Sequence, residues 1–238
     1  MKKALLIFSC FIFSTIVFAQ QSEYSYHPKK GEKYFIGLGY GLGTSHWNSV
    51  FKNTQFYDKD GSVIKSGDFK FQANSPTKHY DINVMVPIKR IRFGMGISFE
   101  YQYLSQLKIY SSNGDEFLIF DEGMRFDKIY LQAEVPFNFD TKKKYTMSWS
   151  FKAGSFGYTY VNRFNFLGDK PFPISILAAA GVVIDYEIYP QIYAFVLPNL
   201  EYKFYDNSHT DTPVQIIHNV FTASILAGIR VDLGKFYF

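Results

Sequence analysis

The sequence predicts an all-β fold, an antiparallel up-and-down β-barrel of about eight strands, with ten as the rival count. Three observations predict it. Apolar residues recur at every second position in one segment after another. The connections between these segments alternate between short and long. Aromatic residues, which favour strands, make up 20% of the 238 residues, while charged residues make up 19%. That balance excludes a disordered chain.

The elements follow in order. Ile36, Leu38, Tyr40 and Leu42 share one face of the first segment, and Phe35, Gly37, Gly39, Gly41 and Gly43 the other. The second sets Tyr80, Ile82, Val84, Val86 and Ile88 against His79, Asp81, Asn83, Met85 and Pro87. The third runs from Phe93 to Tyr103, with Gly94, Gly96, Ser98, Glu100 and Gln102 on its polar side. The fourth sets Ile129, Leu131, Ala133, Val135 and Phe137 against Lys128, Tyr130, Gln132, Glu134 and Pro136. The fifth pairs the apolar set Tyr145, Met147, Trp149, Phe151 and Ala153 with Thr146, Ser148, Ser150, Lys152 and Gly154. The last alternates from Phe221 to Leu233.

Two segments are less regular. Residues 174–185 are apolar on both faces, so a buried helix competes with a strand there. From Gln191 to Tyr205 the pattern changes parity near Pro198, which reads as a bulged strand because proline cannot donate to a ladder. Short connections fall near Lys89–Arg90, Asn138–Lys144 and Tyr189–Pro190. Long ones cover roughly 44–77, 104–125, 161–173 and 206–218, with turn residues such as Asp60-Gly61 and Asn113-Gly114.

Residues 1–19 have the form of a secretory signal peptide. Lys2 and Lys3 precede an apolar run from Ala4 to Phe18, and Val17 and Ala19 are small enough for cleavage before Gln20. Cys10 is the one cysteine, in a segment that resembles a lipobox only loosely; neither a disulfide framework nor a thiolate metal site is available. Apart from this leader, the longest apolar run, Ile174 to Ile184, is too short for a membrane helix, which needs about 20 residues. A membrane crossing would therefore use strands.

The faces decide between a membrane barrel and a soluble one. The apolar face of the regular segments carries no charge, as lipid requires. The opposite face is rich in glycine and carries a few charges of both signs, which suits a narrow lumen better than a soluble exterior. Tyr80, Tyr101, Tyr103, Phe137 and Tyr145 stand where apolar faces end, at the expected height of an aromatic girdle. A soluble secreted barrel holding a lipophilic ligand is the alternative, with the faces reversed.

The leader, the alternating segments, Val86-Pro87-Ile88 and Val135-Pro136-Phe137 entering short turns, and the terminal Phe238 together resemble the small OmpA/OmpX-type outer-membrane β-barrel proteins of Gram-negative bacteria. The resemblance covers about residues 34–238 as the barrel domain. It implies that 20–33 form a periplasmic N-terminal segment. It also implies an outer-membrane location in contact with lipid, and Phe236 and Phe238 as a C-terminal signal for the barrel assembly machinery. Phe236 and Phe238 are even-numbered while Ile225 to Leu233 are odd, which departs from the family pattern. A bulge at Gly234, or a strand ending at Leu233, would reconcile them.

Little in the sequence points to chemistry. The net charge of +4 is not concentrated in a basic cluster, so nucleic acid is not an expected partner. The glycines 37, 39, 41 and 43 alternate within a strand, unlike a phosphate loop before a helix. His27, His46, His79, His209 and His218 form no metal-ligand spacing, and no cofactor is expected. Ser208-His209-Thr210-Asp211 gathers hydrolase residue types in a loop, but a triad is made by geometry, not adjacency. Ser75 with His79 sits where an outer-leaflet lipid enzyme would hold its pair. Asp81, Glu100, Lys128, Glu134, Lys152, Arg230 and Asp232 read as a lumen charge network, either a plug of pairs or a conducting path. Trp47, Phe51, Phe56 and Tyr57 read as a loop interaction surface, or else as part of a hairpin rising above the membrane. The reading is a monomeric, non-enzymatic barrel. It would have a structural, adhesive or partner-binding role through extracellular loops, toward an extracellular protein or glycan. A small pore or carrier for apolar solutes, and an outer-leaflet lipid-modifying enzyme, are the alternatives.

Overall fold

In a computed structural model, the alternating segments become eight antiparallel strands closed into one ring. The structure describes residues 34–57, 63–88, 91–111, 116–138, 145–160, 174–208 and 215–233. The leader, the segment 20–33, the turn pairs Asp60-Gly61 and Asn113-Gly114, and Phe236 and Phe238 lie outside these. The strands are β1 (Phe35–Tyr57), β2 (Val63–Ile88), β3 (Ile91–Ser111), β4 (Glu116–Asn138), β5 (Tyr145–Tyr160), β6 (Ile174–Tyr189), β7 (Ile192–Asp206) and β8 (Gln215–Asp232). Each pairs with the next, and β1 closes on β8 from Phe35↔Asp232 to Lys52↔Gln215. Closure leaves no free edge in this ring, and the ring formed by the described residues has eight strands rather than ten.

The period-two pattern places side chains alternately out and in. Leu38, Met95, Ile129, Leu131 and Ile225 project outward and are exposed, while Asp81, Glu100, Lys128, Glu134 and Arg230 are buried inside. In water this belt would be a large aggregating patch. In a bilayer an apolar belt around a polar interior is what a β-barrel requires. The molecule is a transmembrane β-barrel of the outer-membrane type.

The first four strands run to 23, 26, 21 and 23 residues, whereas the last four have 16, 16, 15 and 18. A membrane strand needs about 9–11. The surplus stands above the belt. On β1 the outward residues after Leu42 turn polar, through Thr44, His46 and Asn48; on β2 the polar stretch runs Lys70, Gln72, Asn74, Pro76 and Lys78. From Leu42 to Lys52 is roughly 33 Å of strand, or about 25 Å of height at a tilt of 35–45°. The connections expected over 44–77 and 104–125 are therefore mostly paired strand, because polar alternation above the membrane masks the period that marks the belt.

Two other expectations change. Residues 174–185 are strand, not helix; their inward positions Leu177, Ala179 and Val183 are apolar because they pack inside the ring. No bulge occurs at Pro198, whose neighbours keep one register with β8 from Val196↔Ala227 to Leu200↔Ala223. The apparent parity change arises because β7 buries Phe195 and Leu197 below Asn199, Glu201 and Lys203 on the same inward face. A true irregularity lies higher, between Phe51 and Thr54, where Asn53 (φ 56°) precedes Thr54, the partner of Gly67 (φ 139°). β6 and β7 join through Pro190 and Gln191 (φ 71°), the residue pattern of a type II turn.

Candidate functional site

The interior is built in layers. At the short-turn end of the ring, Arg230 of β8 reaches Glu134 of β4 at 2.6 Å and Asp185 of β6 at 3.1 Å. Arg92 of β3 adds 2.9 Å to Asp185 and 3.4 Å to Glu134. The Arg230 guanidinium also lies 4.7 Å from the Phe195 ring centroid, a cation–π contact. Phe195 fits because Gly39 and Gly228 face it: a Cβ on Gly39 would come within 3.0 Å of its ring and one on Gly228 within 2.7 Å. Asp232 is buried at this same end of β8.

The middle layer centres on Asp81. It accepts from Lys152 Nζ at 2.9 Å, Tyr130 Oη at 2.7 Å and Asn83 Nδ2 at 2.9 Å. Tyr130 reaches across the ring above Gly96, where any side chain would strike its hydroxyl. Above it, Glu100 and Glu201 meet Lys128 and Lys203. Lys203 lies 2.9 Å from Glu100 and 2.7 Å from Glu201, and Lys128 contacts both carboxylates, at 2.5 Å for Glu201. A void of about 10 Å³ between these layers has room for about one water.

A neutral collar follows. Trp47 Nε1 donates to Gln102 Oε1 at 2.5 Å, and Gln102 Nε2 donates to Ser45 Oγ at 2.9 Å. Ser45 shares a hydrogen bond of 2.6 Å with Thr222. Above the collar the interior becomes aromatic: Trp47, Phe51, Phe71, Phe126 and Phe156 pack with Tyr158, Tyr205 and His218. His218 stands above the belt, in the upper part of β8 where it pairs with Ser49 of β1. Its Nδ1 shares a 2.7 Å hydrogen bond with Ser49 Oγ, and burial pushes its pKa down to about 3.

The structure thus places all seven residues of the expected charge network inside the ring. It divides them between the Arg230 and Glu134 layer, the Asp81 and Lys152 layer and the Glu100 and Lys128 layer, with Asp232 at the short-turn end. Asp185 of β6 joins them. Arg92, Glu201 and Lys203 were missed. Arg92 shares the even parity of Gly94 and Gly96, but its closeness to the Lys89–Arg90 connection hides that parity. Glu201 and Lys203 share the odd parity of Phe195, hidden by the supposed bulge.

Trp47 and Phe51 are not an exposed loop surface. They are 0% and 4% exposed and cap the lumen from inside β1. Phe56 and Tyr57 end β1, and their side chains lie outside the described residues. Ser75 and His79 do not pair: Ser75 Oγ donates to the carbonyls of Pro76 and Tyr103, while His79 Nε2 meets Thr77 Oγ1 at 3.0 Å. Thr77, His79 and Glu100, with His79 Nδ1 3.6 Å from Glu100, have the order of a nucleophile, base and acid. All three are buried and two lysines hold Glu100, so no substrate reaches them. Of Ser208-His209-Thr210-Asp211 only Ser208 is described, its N–H donating to Asp206. No group of metal-ligating residues occurs among the described residues.

The outer wall carries one further feature. Across β5, β6, β7, β8 and β1 the short side chains of Ala180, Pro198 and Ala223 leave an apolar groove of about 660 Å³ between Trp149 and Leu42.

No family model and no curated protein matches the chain. Among solved structures, Neisserial surface protein A is 13% identical, over 82% of this chain and 97% of that one, with a TM-score of 0.42. The outer membrane protein OprG of Pseudomonas aeruginosa is 10% identical over 86% and 97%, with a TM-score of 0.42. The outer membrane protease OmpT of Escherichia coli is 10% identical over 89% and 99%, with a TM-score of 0.36. Likeness at this level transfers no role from those proteins to this chain.

Proposed function

We propose that the protein is a non-conducting barrel of the outer membrane that serves as a structural, adhesive or partner-binding scaffold through the part standing above the lipid. The observation that carries this reading is the filled interior. From Arg230 upward, each described level is occupied by paired charges, by the Trp47–Gln102–Ser45–Thr222 collar, or by packed aromatic rings. Eight strands enclose little more than their own side chains. The long strands β1 and β2 then raise polar outward faces well clear of the belt, through Thr44, His46 and Asn48 and through Lys70, Gln72 and Asn74, where a protein or glycan partner can reach them.

Conductance of the refolded protein in planar bilayers tests the first half; a silent membrane is expected, and sustained single-channel steps would replace this reading with a pore. For the second half, Asn48→Cys should react with a membrane-impermeant maleimide on intact cells. The chain's only native cysteine, Cys10, belongs to the leader segment. Absence of labelling in a folded, membrane-inserted protein would place this end on the other side.

A further inference from the structure

We propose that the groove on the outer wall of β5–β8 and β1 seats one acyl chain of an outer-leaflet lipid. The inference rests on the reading of the apolar belt as membrane-embedded.

One register row defines the groove. Phe151 pairs with Ala180, Ala180 with Leu200, Leu200 with Ala223, and Ala223 with Thr44. All five side chains point outward. The row crosses five strands, so its four spacings of about 4.8 Å give a length of roughly 19 Å. Alanine at two of the five positions hollows it, and Trp149 and Phe151 wall its far end.

The direction of the row fits a lipid chain. Thr44 stands just above Leu42, where the outward face of β1 turns polar. Phe151 lies four residues below Ser155, where β5 makes the same change, which is about 10 Å below the upper edge at the tilt of such strands. The groove therefore starts at headgroup height and descends obliquely through one leaflet, whose hydrocarbon is about 15 Å deep. Its open end meets hydrogen-bonding groups: Thr44, and the exposed His46, whose Nδ1 is 2.9 Å from Asn74 Oδ1. The groove is continuous with the belt, its lining is almost wholly apolar, and the medium around it is acyl chain. A chain lying in it would touch protein on three sides, whereas one against Leu131 or Met95 would touch a convex wall. The occupant is therefore a lipid chain held longer than its neighbours.

The test uses the whole protein extracted from membranes in mild detergent and weighed by native mass spectrometry. The wild type should carry one lipid per barrel. Ala180→Leu with Ala223→Leu fills the groove and should lower that occupancy at least tenfold, while Ala133→Leu, on the outer face of β4, should leave it unchanged. A heat-dependent gel shift reports whether each variant is a folded barrel. Should the double variant fail to shift, each single variant carries the test, with brominated-chain lipids and the fluorescence of Trp149 in a Trp47→Phe background as readout. A heat-shifting wild type without bound lipid, or a double variant with undiminished lipid, overturns the groove as a lipid seat. A cross-linked dimer lost in the double variant also overturns it, in favour of a second copy. A wild type lacking the gel shift overturns the membrane reading itself.

Discussion

Replacing Arg230 with alanine probes whether the interior charges hold the barrel together. Arg230 is 0% exposed and lies against two carboxylates, at 2.6 Å from Glu134 and 3.1 Å from Asp185. Removing one partner of a buried pair costs about 3–5 kcal/mol, because the remaining charge loses its counterpart without regaining water. Arg92 still reaches both carboxylates, at 2.9 and 3.4 Å, so the expected loss lies at the low end, about 3 kcal/mol. With a slope of about 1–3 kcal/mol per molar urea, the unfolding midpoint in lipid vesicles should fall by about 1–3 M. Arg230→Met keeps most of the volume, so it should fall nearly as far. Adding Glu134→Met to it should restore part of the stability by removing the stranded charge. An unchanged midpoint in Arg230→Ala, or a double variant no better than the sum of the singles, would refute the pairing argument.

Two further substitutions address the membrane and the upper interior. Leu131→Arg puts a charge on the outward face in mid-belt and should cost about 2–4 kcal/mol, whereas Asn48→Arg, above the belt, should cost almost nothing; equal costs in vesicle unfolding would mean the belt is misplaced. His218 is held neutral, its pKa lowered from 6.5 to about 3 by burial. The unfolded chain therefore binds a proton that the folded chain does not between about pH 3 and 6.5, and this group's contribution to stability falls as pH drops through that window. His218→Gln should flatten the acid side of the stability curve relative to wild type, by up to about 1.4 kcal/mol per pH unit; identical curves would count against burial of a neutral imidazole.

Alternation from Ile36 to Leu42 and from Phe221 to Leu233 is a local property. It depends only on the pleat, which sends neighbouring side chains to opposite faces. That is why the strand pattern and the shared face of seven charges could be read from residue order, while the choice between eight and ten strands could not. Parity also determined where Glu201 and Lys203 had to point, once Pro198 was not taken for a bulge. The ends of the strands were not readable in the same way. Beyond Leu42 on β1 and before Tyr80 on β2 both faces lose their contrast, the outward one because it meets water and the inward one because it holds Trp47, Phe51, Phe69 and Phe71. Aromatics in a polar stretch look like a loop surface until the ring closes around them.

Alternation by itself settled the fold class and sorted the residues into two faces, because both follow from period two; which face meets lipid followed from the absence of charge on one and the glycine and mixed charges on the other. Only the tertiary structure decided which charge meets which, since Arg230 reaches Glu134 and Asp185 across 96 and 45 residues of sequence. It likewise decided that Trp47 closes the lumen instead of meeting a partner, and that Ala180 and Ala223, on β6 and β8, share one groove. Register and closure bring such residues together, and both are set by the whole ring rather than by any one strand.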